Sequence, residues 1–240
     1  MAAIPLPYEP EIEYPESDGK PMAESDVHLA VMMHLVQGLR DHFADDPEVY
    51  VAGNLLLYYE EGKRVSVAPD LFVVRGVPDH QRDTYLLWRE GRGPCFVLEV
   101  TSKSTRDEDL STKKVLYRRL GVVEYFLFDP RDEYLEPRFQ GFRLAGGAAR
   151  DYRPVPSSSG GSLVSQTLGV AFHPEDNSLR MTDVATGRPL LGFEDWKARA
   201  QEVEERLAAA EKRLAAAEAR ATQAEARNRE LMEKLERRGE

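Results

Sequence analysis

The chain has 240 residues, of which 42% are hydrophobic, and its formal net charge is −10. This length suits one medium-sized domain with an appendage, and the hydrophobic content excludes a globally disordered chain. The acidic balance also argues against a protein that coats phosphate backbones unspecifically.

Cysteine content and hydropathy point to a cytoplasmic protein. The single cysteine, Cys95, cannot form an internal disulfide, and no Cys/His cluster has the spacing of a zinc site. No apolar run approaches the roughly 20 residues of a membrane span. The acidic N-terminus lacks the basic and apolar regions of a signal peptide. We therefore expect a cytoplasmic protein without a membrane segment.

The charge is unevenly distributed along the chain. Residues 196–240 hold 11 Lys and Arg and 10 Asp and Glu, so 21 basic and 32 acidic residues remain in 1–195. A nucleic-acid-binding function of this acidic part requires a local basic patch, a bound metal, or both.

The first elements are a lead-in, a helix and three strands. Residues 1–22 are rich in proline and are predicted to be extended. A helix starts near residues 24–26, where Ser25 or Asp26 can cap it, and ends before residue 45. Strand-like runs follow at 49–59, at 65–74 with an interruption at Pro69, and at 95–101.

A strand–helix–strand unit comes next. Residues 108–120 have helical periodicity, and 122–129 form another apolar strand, which predicts a right-handed parallel crossover over 95–129. Residues 131–193 contain short strand candidates, and we interpret them as an antiparallel extension of the same sheet. The predicted organisation is a lead-in (1–22), a mixed α/β domain (23–195) and a helical tail (196–240).

The tail carries a heptad pattern over five repeats, typical of a coiled coil. The d positions are Val203, Ala210, Ala217, Ala224 and Leu231, and the a positions, four residues later, are Leu207, Leu214, Ala221, Asn228 and Leu235. This seam is rich in alanine, so a lone solvated helix is one interpretation. We favour the other, a homo-oligomer formed through residues 203–235.

Two carboxylates are candidates for metal ligands. Glu99 lies inside an apolar strand at the carboxyl end that feeds a helix, and a buried unpaired carboxylate is costly. Asp70 follows Pro69 in a neighbouring run. Carboxylates on adjacent strands offer the hard oxygen ligands that Mg²⁺ or Mn²⁺ prefers. A buried ion pair at Glu99 and a backbone-bonded Asp70 are the structural alternatives.

A cation is the third requirement of phosphoryl chemistry, because negative charge develops on the attacked phosphate. Lys103, Lys113 and Lys114 are the candidates, and an ordinary surface lysine is the alternative for each. Helical spacing places Lys113 on one face with Asp109 and Tyr117.

The region from Glu99 to Pro130 resembles the Uma-two family, a large bacterial family of endonuclease-like proteins. The resemblance covers roughly residues 15–195. It rests on a set of residues at fixed spacing: Glu99-Val100-Thr101-Ser102, Ser104-Thr105, Asp109-Leu110, Lys113, Tyr117, Gly121-Val122, Glu124-Tyr125-Phe126 and Asp129-Pro130, with Pro69-Asp70, His28, Leu168-Gly169 and Thr186-Gly187 outside this block.

The resemblance implies the PD-(D/E)XK restriction-endonuclease-like fold, an αβββαβ core with the coiled-coil helix appended. It implies that Asp70, Glu99 and the backbone carbonyl of Val100 bind Mg²⁺ or Mn²⁺. The lysine that the motif expects two residues after the glutamate is Thr101 here, and the family pattern assigns that role to Lys113. Glu24, Ser102 and His28 are the supporting residues that it suggests.

Three functions are compatible with these observations. The first is a divalent-metal-dependent DNA endonuclease that leaves 5′-phosphate and 3′-hydroxyl ends. The second is a nuclease-fold module that binds nucleic acid or protein without cutting, which the acidic charge of 1–195 favours. The third is a scaffold organised by the coiled coil.

Overall fold

The computed structural model describes residues 13–17, 19, 25–146 and 150–237. Glu24, one of the candidate acids, lies outside the described residues. The chain separates into two compact units, and the division falls between Phe193 and Glu194.

The helices are Asp26–His42 (α1), Leu87–Glu90 (α2), Arg106–Glu108 (α3), Lys114–Leu120 (α4) and Phe193–Glu236 (α5). A π-helical turn at Asp109–Lys113 joins α3 to α4. The strands are Val49–Ala52 (β1), Leu57–Tyr58 (β2), Ser66–Val67 (β3), Leu71–Arg75 (β4), Tyr85–Leu86 (β5), Phe96–Val100 (β6), Glu124–Phe128 (β7), Phe139–Leu144 (β8), Tyr152–Pro154 (β9), Leu163–Ser165 (β10), Val170–Glu175 (β11), Ser178–Asp183 (β12) and Pro189–Leu190 (β13).

The main sheet has six strands in the order β1-β4-β6-β7-β8-β9. Strands β6 and β7 are parallel, and the other neighbouring pairs are antiparallel. Parallel strands cannot be joined by a tight hairpin, so the chain crosses between them through α3, the π turn and α4. The predicted mixed α/β class and its αβββαβ core are confirmed by this arrangement.

Both faces of the main sheet are covered, which explains the continuous apolar run in β6. Phe96 and Leu98 point into a core shared with Leu35 of α1 and Phe172 of β11. Val97 points to the opposite core. Because side chains alternate along a strand, the next residues on the Val97 face are at positions 99 and 101.

The predictions for the flanking strands were partly wrong. The runs at 49–59 and 65–74 are each divided between two sheets, since β2 and β3 pair with each other and β2 also pairs with β5, away from β1 and β4. Residues 139–144 and 152–154 do extend the main sheet antiparallel. Residues 163–190 instead form a separate four-stranded sheet, β10-β11-β12-β13. Its apolar side packs against the core that contains Phe96 and Leu98.

The helical tail is α5, a continuous helix of 44 residues. At 1.5 Å per residue it is about 66 Å long. Its large seam residues are exposed by half or more: Val203 by 62%, Leu207 by 58%, Leu214 by 60% and Leu231 by 50%. Within the described residues, no helix combines the length and the apolar content that crossing a membrane requires.

Candidate active site

Asp70 and Glu99 meet on one face of the main sheet. Leu71 of β4 is paired with Leu98 of β6, which places the preceding Asp70 beside the following Glu99. The N–H of Asp70 donates to Glu99 Oε2 over 3.3 Å, and the N–H of Val100 donates to Asp70 Oδ2 over 2.7 Å. Both carboxylates are buried, and each accepts a hydrogen bond from a backbone N–H group of the neighbouring chain segment.

The crossover helix supplies the cation. Lys113 Nζ lies 3.1 Å from Glu99 Oε2 and 2.9 Å from Asp109 Oδ1. One helical turn further on, the Tyr117 hydroxyl donates to Glu99 Oε1 over 2.6 Å. Residues four apart share a helix face, so Asp109, Lys113 and Tyr117 lie in one row. The π turn contains the first two of these residues.

Helix α1 contributes His28, which contacts Asp70. Its Nε2 lies 3.0 Å from Asp70 Oδ1, and its backbone N–H donates to the capping Ser25 Oγ over 3.2 Å. Because Val100 holds Oδ2 of Asp70 and His28 contacts Oδ1, the orientation of this carboxylate is defined at both oxygens.

The site contains more acidic than basic side chains. Asp70, Glu99 and Asp109 are buried carboxyls; the Lys113 ammonium contacts Glu99 and Asp109, and His28 contacts Asp70. Burial raises the pKa of Glu99 to about 8; the Lys113 ammonium opposes this effect, and the charges of Asp70 and Asp109 add to it. Burial likewise raises the pKa of Asp109.

The pKa of Lys113 changes in the complementary direction. Burial alone lowers the pKa of this lysine, but Glu99 and Asp109 outweigh that effect and raise its pKa well above the usual range. Lys113 is therefore an ammonium ion at neutral pH, while the carboxyls around it compete for one positive charge.

The donor set suits a hard cation. Two carboxylates and a backbone carbonyl are oxygen ligands, and Mg²⁺ characteristically takes few protein ligands and keeps several waters. In the part of the chain that the structure describes, no group of three or more His, Cys, Asp or Glu side chains is arranged to hold an ion by itself. Val100, whose carbonyl is the predicted third ligand, contacts Asp70 through its N–H.

A cleft of about 610 Å³ adjoins the acid pair. Its lining includes His28 and Thr101, which connect it to Asp70 and Glu99, although the two acids do not line it themselves. Ser102 also lines the cleft, and its Oγ lies 3.0 Å from Ser104 Oγ. Ser102 therefore shapes the turn at the cleft rather than contacting the acids.

The structure separates the three candidate lysines. Only Lys113 of these three contacts Glu99, since Lys103 lines the cleft and Lys114 Nζ lies 3.4 Å from the centre of the Phe142 ring. Asp109 and Tyr117 also belong to the site, although they were not among the site residues predicted from the sequence. Their spacing from Lys113, four residues on either side, was the signal that identifies them.

These features define a restriction-endonuclease-like α/β domain with a buried centre of carboxylates and one lysine. The profile of the Uma2 family, described as "Putative restriction endonuclease", matches residues 2–178. The chain therefore belongs to the Uma2 family.

Two further comparisons complete these findings. A solved structure described as "a putative nuclease belonging to DUF820 from Anabaena variabilis ATCC 29413" is 13% identical, with a TM-score of 0.44 over 64% of this chain and 81% of that one. The comparison with curated proteins gave no match.

Proposed function

We propose that this chain is a divalent-metal-dependent endonuclease that hydrolyses phosphodiester bonds in DNA. The observation that carries the proposal is the excess of carboxyls in the buried site, where Glu99 and Asp109 share one ammonium and Asp70 lies beside them with His28 as its partner. Uncompensated charge is costly inside a protein, and a divalent cation between Asp70 and Glu99 would remove the excess.

Asp70, Glu99 and the carbonyl of Val100 would hold Mg²⁺ or Mn²⁺. Such an ion, when bound, polarises a phosphate and lowers the pKa of a water molecule. The chain's own residues have the complementary roles. Lys113 presents ammonium protons to developing negative charge, and the hydroxyl of Tyr117 keeps Glu99 in place.

Other residues support this arrangement. We propose that His28 orients Asp70 and that Ser102 maintains the turn at the mouth of the cleft. From the family resemblance we expect Glu24 to supply an additional acid to the site. The free thiol of Cys95 fits action in a reducing cytoplasm.

Calorimetric titration of the full chain with Mn²⁺ tests the proposal. We expect one ion to bind per chain, and Asp70→Asn or Glu99→Gln to abolish binding. Lys114→Met is the matched control, because Lys114 lies on the Phe142 ring outside the site. Plasmid, linear and single-stranded DNA should each be tested for cleavage with Mg²⁺ or Mn²⁺ and with chelator. Absence of binding that depends on Asp70 and Glu99 would contradict the proposal.

A catalytically silent nuclease-fold module is the second candidate. The observation that favours it is the burial of Glu99, which is 1% exposed and already contacts Lys113 and Tyr117. The Mn²⁺ titration separates the two candidates, because a silent module has no reason to retain an ion site.

We further propose that residues 23–195 form the catalytic domain and that the tail, 196–240, forms a homo-oligomer through residues 203–235. The exposed seam of α5 supports the second proposal. Leu207→Glu with Leu214→Glu is expected to yield a monomer, because charge at a positions cannot be buried in a coiled coil. Light scattering checks the mass, with Glu205→Ala and Lys212→Ala, at the outward f positions, as the control. An unchanged mass, whether monomeric or oligomeric, would contradict assembly through this seam.

A further inference from the structure

The cleft beside the acid pair differs in charge from the domain that contains it. Residues 1–195 hold 32 acidic and 21 basic residues. Among the described residues that line the cleft, none is acidic, and two are the cations Lys103 and Arg131. Neither of these cations forms an ion pair within the described part of the chain, so both are available to an anionic ligand.

Thr101, which lines the cleft, has a buried hydroxyl that lacks a partner among the described residues. Thr101 is 2% exposed, and its Oγ1 makes no hydrogen bond within the described residues. It lines the cleft and lies two residues after Glu99, on the same face of β6. A buried hydroxyl that lacks a partner is unfavourable, so its retention points to a ligand that completes the hydrogen bond.

One wall of the cleft is a rigid turn that carries an aromatic ring. The carboxylate of Asp129 accepts the backbone N–H groups of Arg131 (3.0 Å), Glu133 (2.8 Å) and Leu135 (3.1 Å) as well as that of Tyr134. Arg131 and Tyr134 both line the cleft. A cation and an aromatic ring on a preorganised turn are the elements of a surface that binds phosphate and stacks a base.

We propose that this cleft binds one strand of DNA, with phosphates on Lys103, Arg131 and the Thr101 hydroxyl and a base on Tyr134, so that the enzyme acts on single-stranded DNA or unpaired flaps. The choice of DNA and of cleavage rests on the proposed function. Duplex DNA is disfavoured because it carries one charge per roughly 1.7 Å of axis, and the acidic surface of the domain repels that density. A single strand has a lower charge density and exposes its bases for stacking.

Fluorescence anisotropy tests the proposal with the full-length Glu99→Gln protein, so that cleavage cannot interfere. The probes are an oligothymidylate of about 12 nucleotides, its duplex with oligoadenylate and the matching oligouridylate. We expect the single DNA strand to bind at least about tenfold more tightly than the duplex at low salt. Equal or tighter duplex binding would overturn the strand preference, and tighter oligouridylate binding would overturn the choice of DNA.

Substitutions then locate the binding surface. Lys103→Ala with Arg131→Ala should lower the slope of log affinity against log salt by about 1.4, and Tyr134→Leu should weaken binding about tenfold. Lys63→Ala with Arg153→Ala removes two exposed cations outside the cleft and should change neither quantity. If both pairs of substitutions have the same effect, binding is unspecific and the proposal fails.

Thr101→Val separates ligand binding from folding. Removal of the partnerless hydroxyl should stabilise the folded protein and weaken oligothymidylate binding at the same time. A change in stability without a change in affinity would overturn the role of Thr101. Oligothymidylate binding in the cleft together with absent Mn²⁺-dependent cleavage would leave this inference standing while the proposed nuclease activity fails.

Discussion

Glu99→Gln is expected to reduce metal-dependent DNA cleavage by about 10³-fold, which corresponds to roughly 4 kcal/mol of transition-state stabilisation. The amide keeps the shape of the side chain, and its single oxygen can still accept one of the two hydrogen bonds that Glu99 receives from the Tyr117 hydroxyl and the Asp70 N–H. It lacks the negative charge that would hold a divalent ion, so the loss should appear in the rate and in Mn²⁺ binding together. Initial rates at saturating Mg²⁺ measure the effect.

Glu124→Gln is the matched control. Glu124 is also a fully buried glutamate, and it lies on the adjacent strand β7. Its partners are structural: Arg143 Nε at 2.7 Å and the N–H groups of Gln166 at 3.1 Å and Thr167 at 3.2 Å. Loss of Glu124 charge should affect stability, and folded protein should retain its activity. Equal cleavage by the Glu99→Gln and wild-type proteins would indicate a contaminating nuclease or a different site.

Lys113→Met is expected to destabilise the protein in a pH-dependent way, by about 3 to 5 kcal/mol at pH 8. The substitution leaves Glu99 and Asp109 buried without their ammonium partner. Their pKa values, which burial already raises in the wild-type protein, should rise further. Urea denaturation at pH 5, 6.5 and 8 measures the free energy of unfolding.

The direction of the pH effect follows from proton binding. The ordinary pKa is 4.5 for Glu99 and 3.8 for Asp109, and both are raised in the folded state. Between the ordinary and the raised values, the folded protein binds more protons than the unfolded chain, so stability falls as pH rises. The difference between Lys113→Met and wild type should therefore be small near pH 5 and largest at pH 8.

Two variants test this explanation. Adding Glu99→Gln to Lys113→Met should restore part of the stability lost at pH 8, because the amide carries no charge to compensate and only Asp109 is then left without its ammonium partner. Lys114→Met changes the neighbouring lysine, whose contact is the Phe142 ring, and should show no such pH dependence. A Lys113→Met defect of the same size at every pH would assign the effect to packing rather than to charge.

Local sequence patterns were sufficient for the crossover and for the position of Glu99. The apolar runs of β6 and β7 require cover on both faces, and the intervening helical periodicity supplies it. A glutamate within such a run is anomalous whatever its neighbours are. The same reasoning places Lys113 on one helix face with Asp109 and Tyr117, since spacing along a helix is a local property.

Long-range pairing determined the rest. The division of residues 49–59 between β1 and β2, and the separate sheet of residues 163–190, depend on which strands exchange hydrogen bonds, and alternation within one strand does not reveal its partner. The register between β4 and β6 brings Asp70 beside Glu99. The docking of the crossover helix selects Lys113 over Lys103 and Lys114. The sequence by itself determined the chemical groups of the site, and only the tertiary structure decided which of them meet, because strand partners and helix docking are set by contacts between residues far apart in the chain.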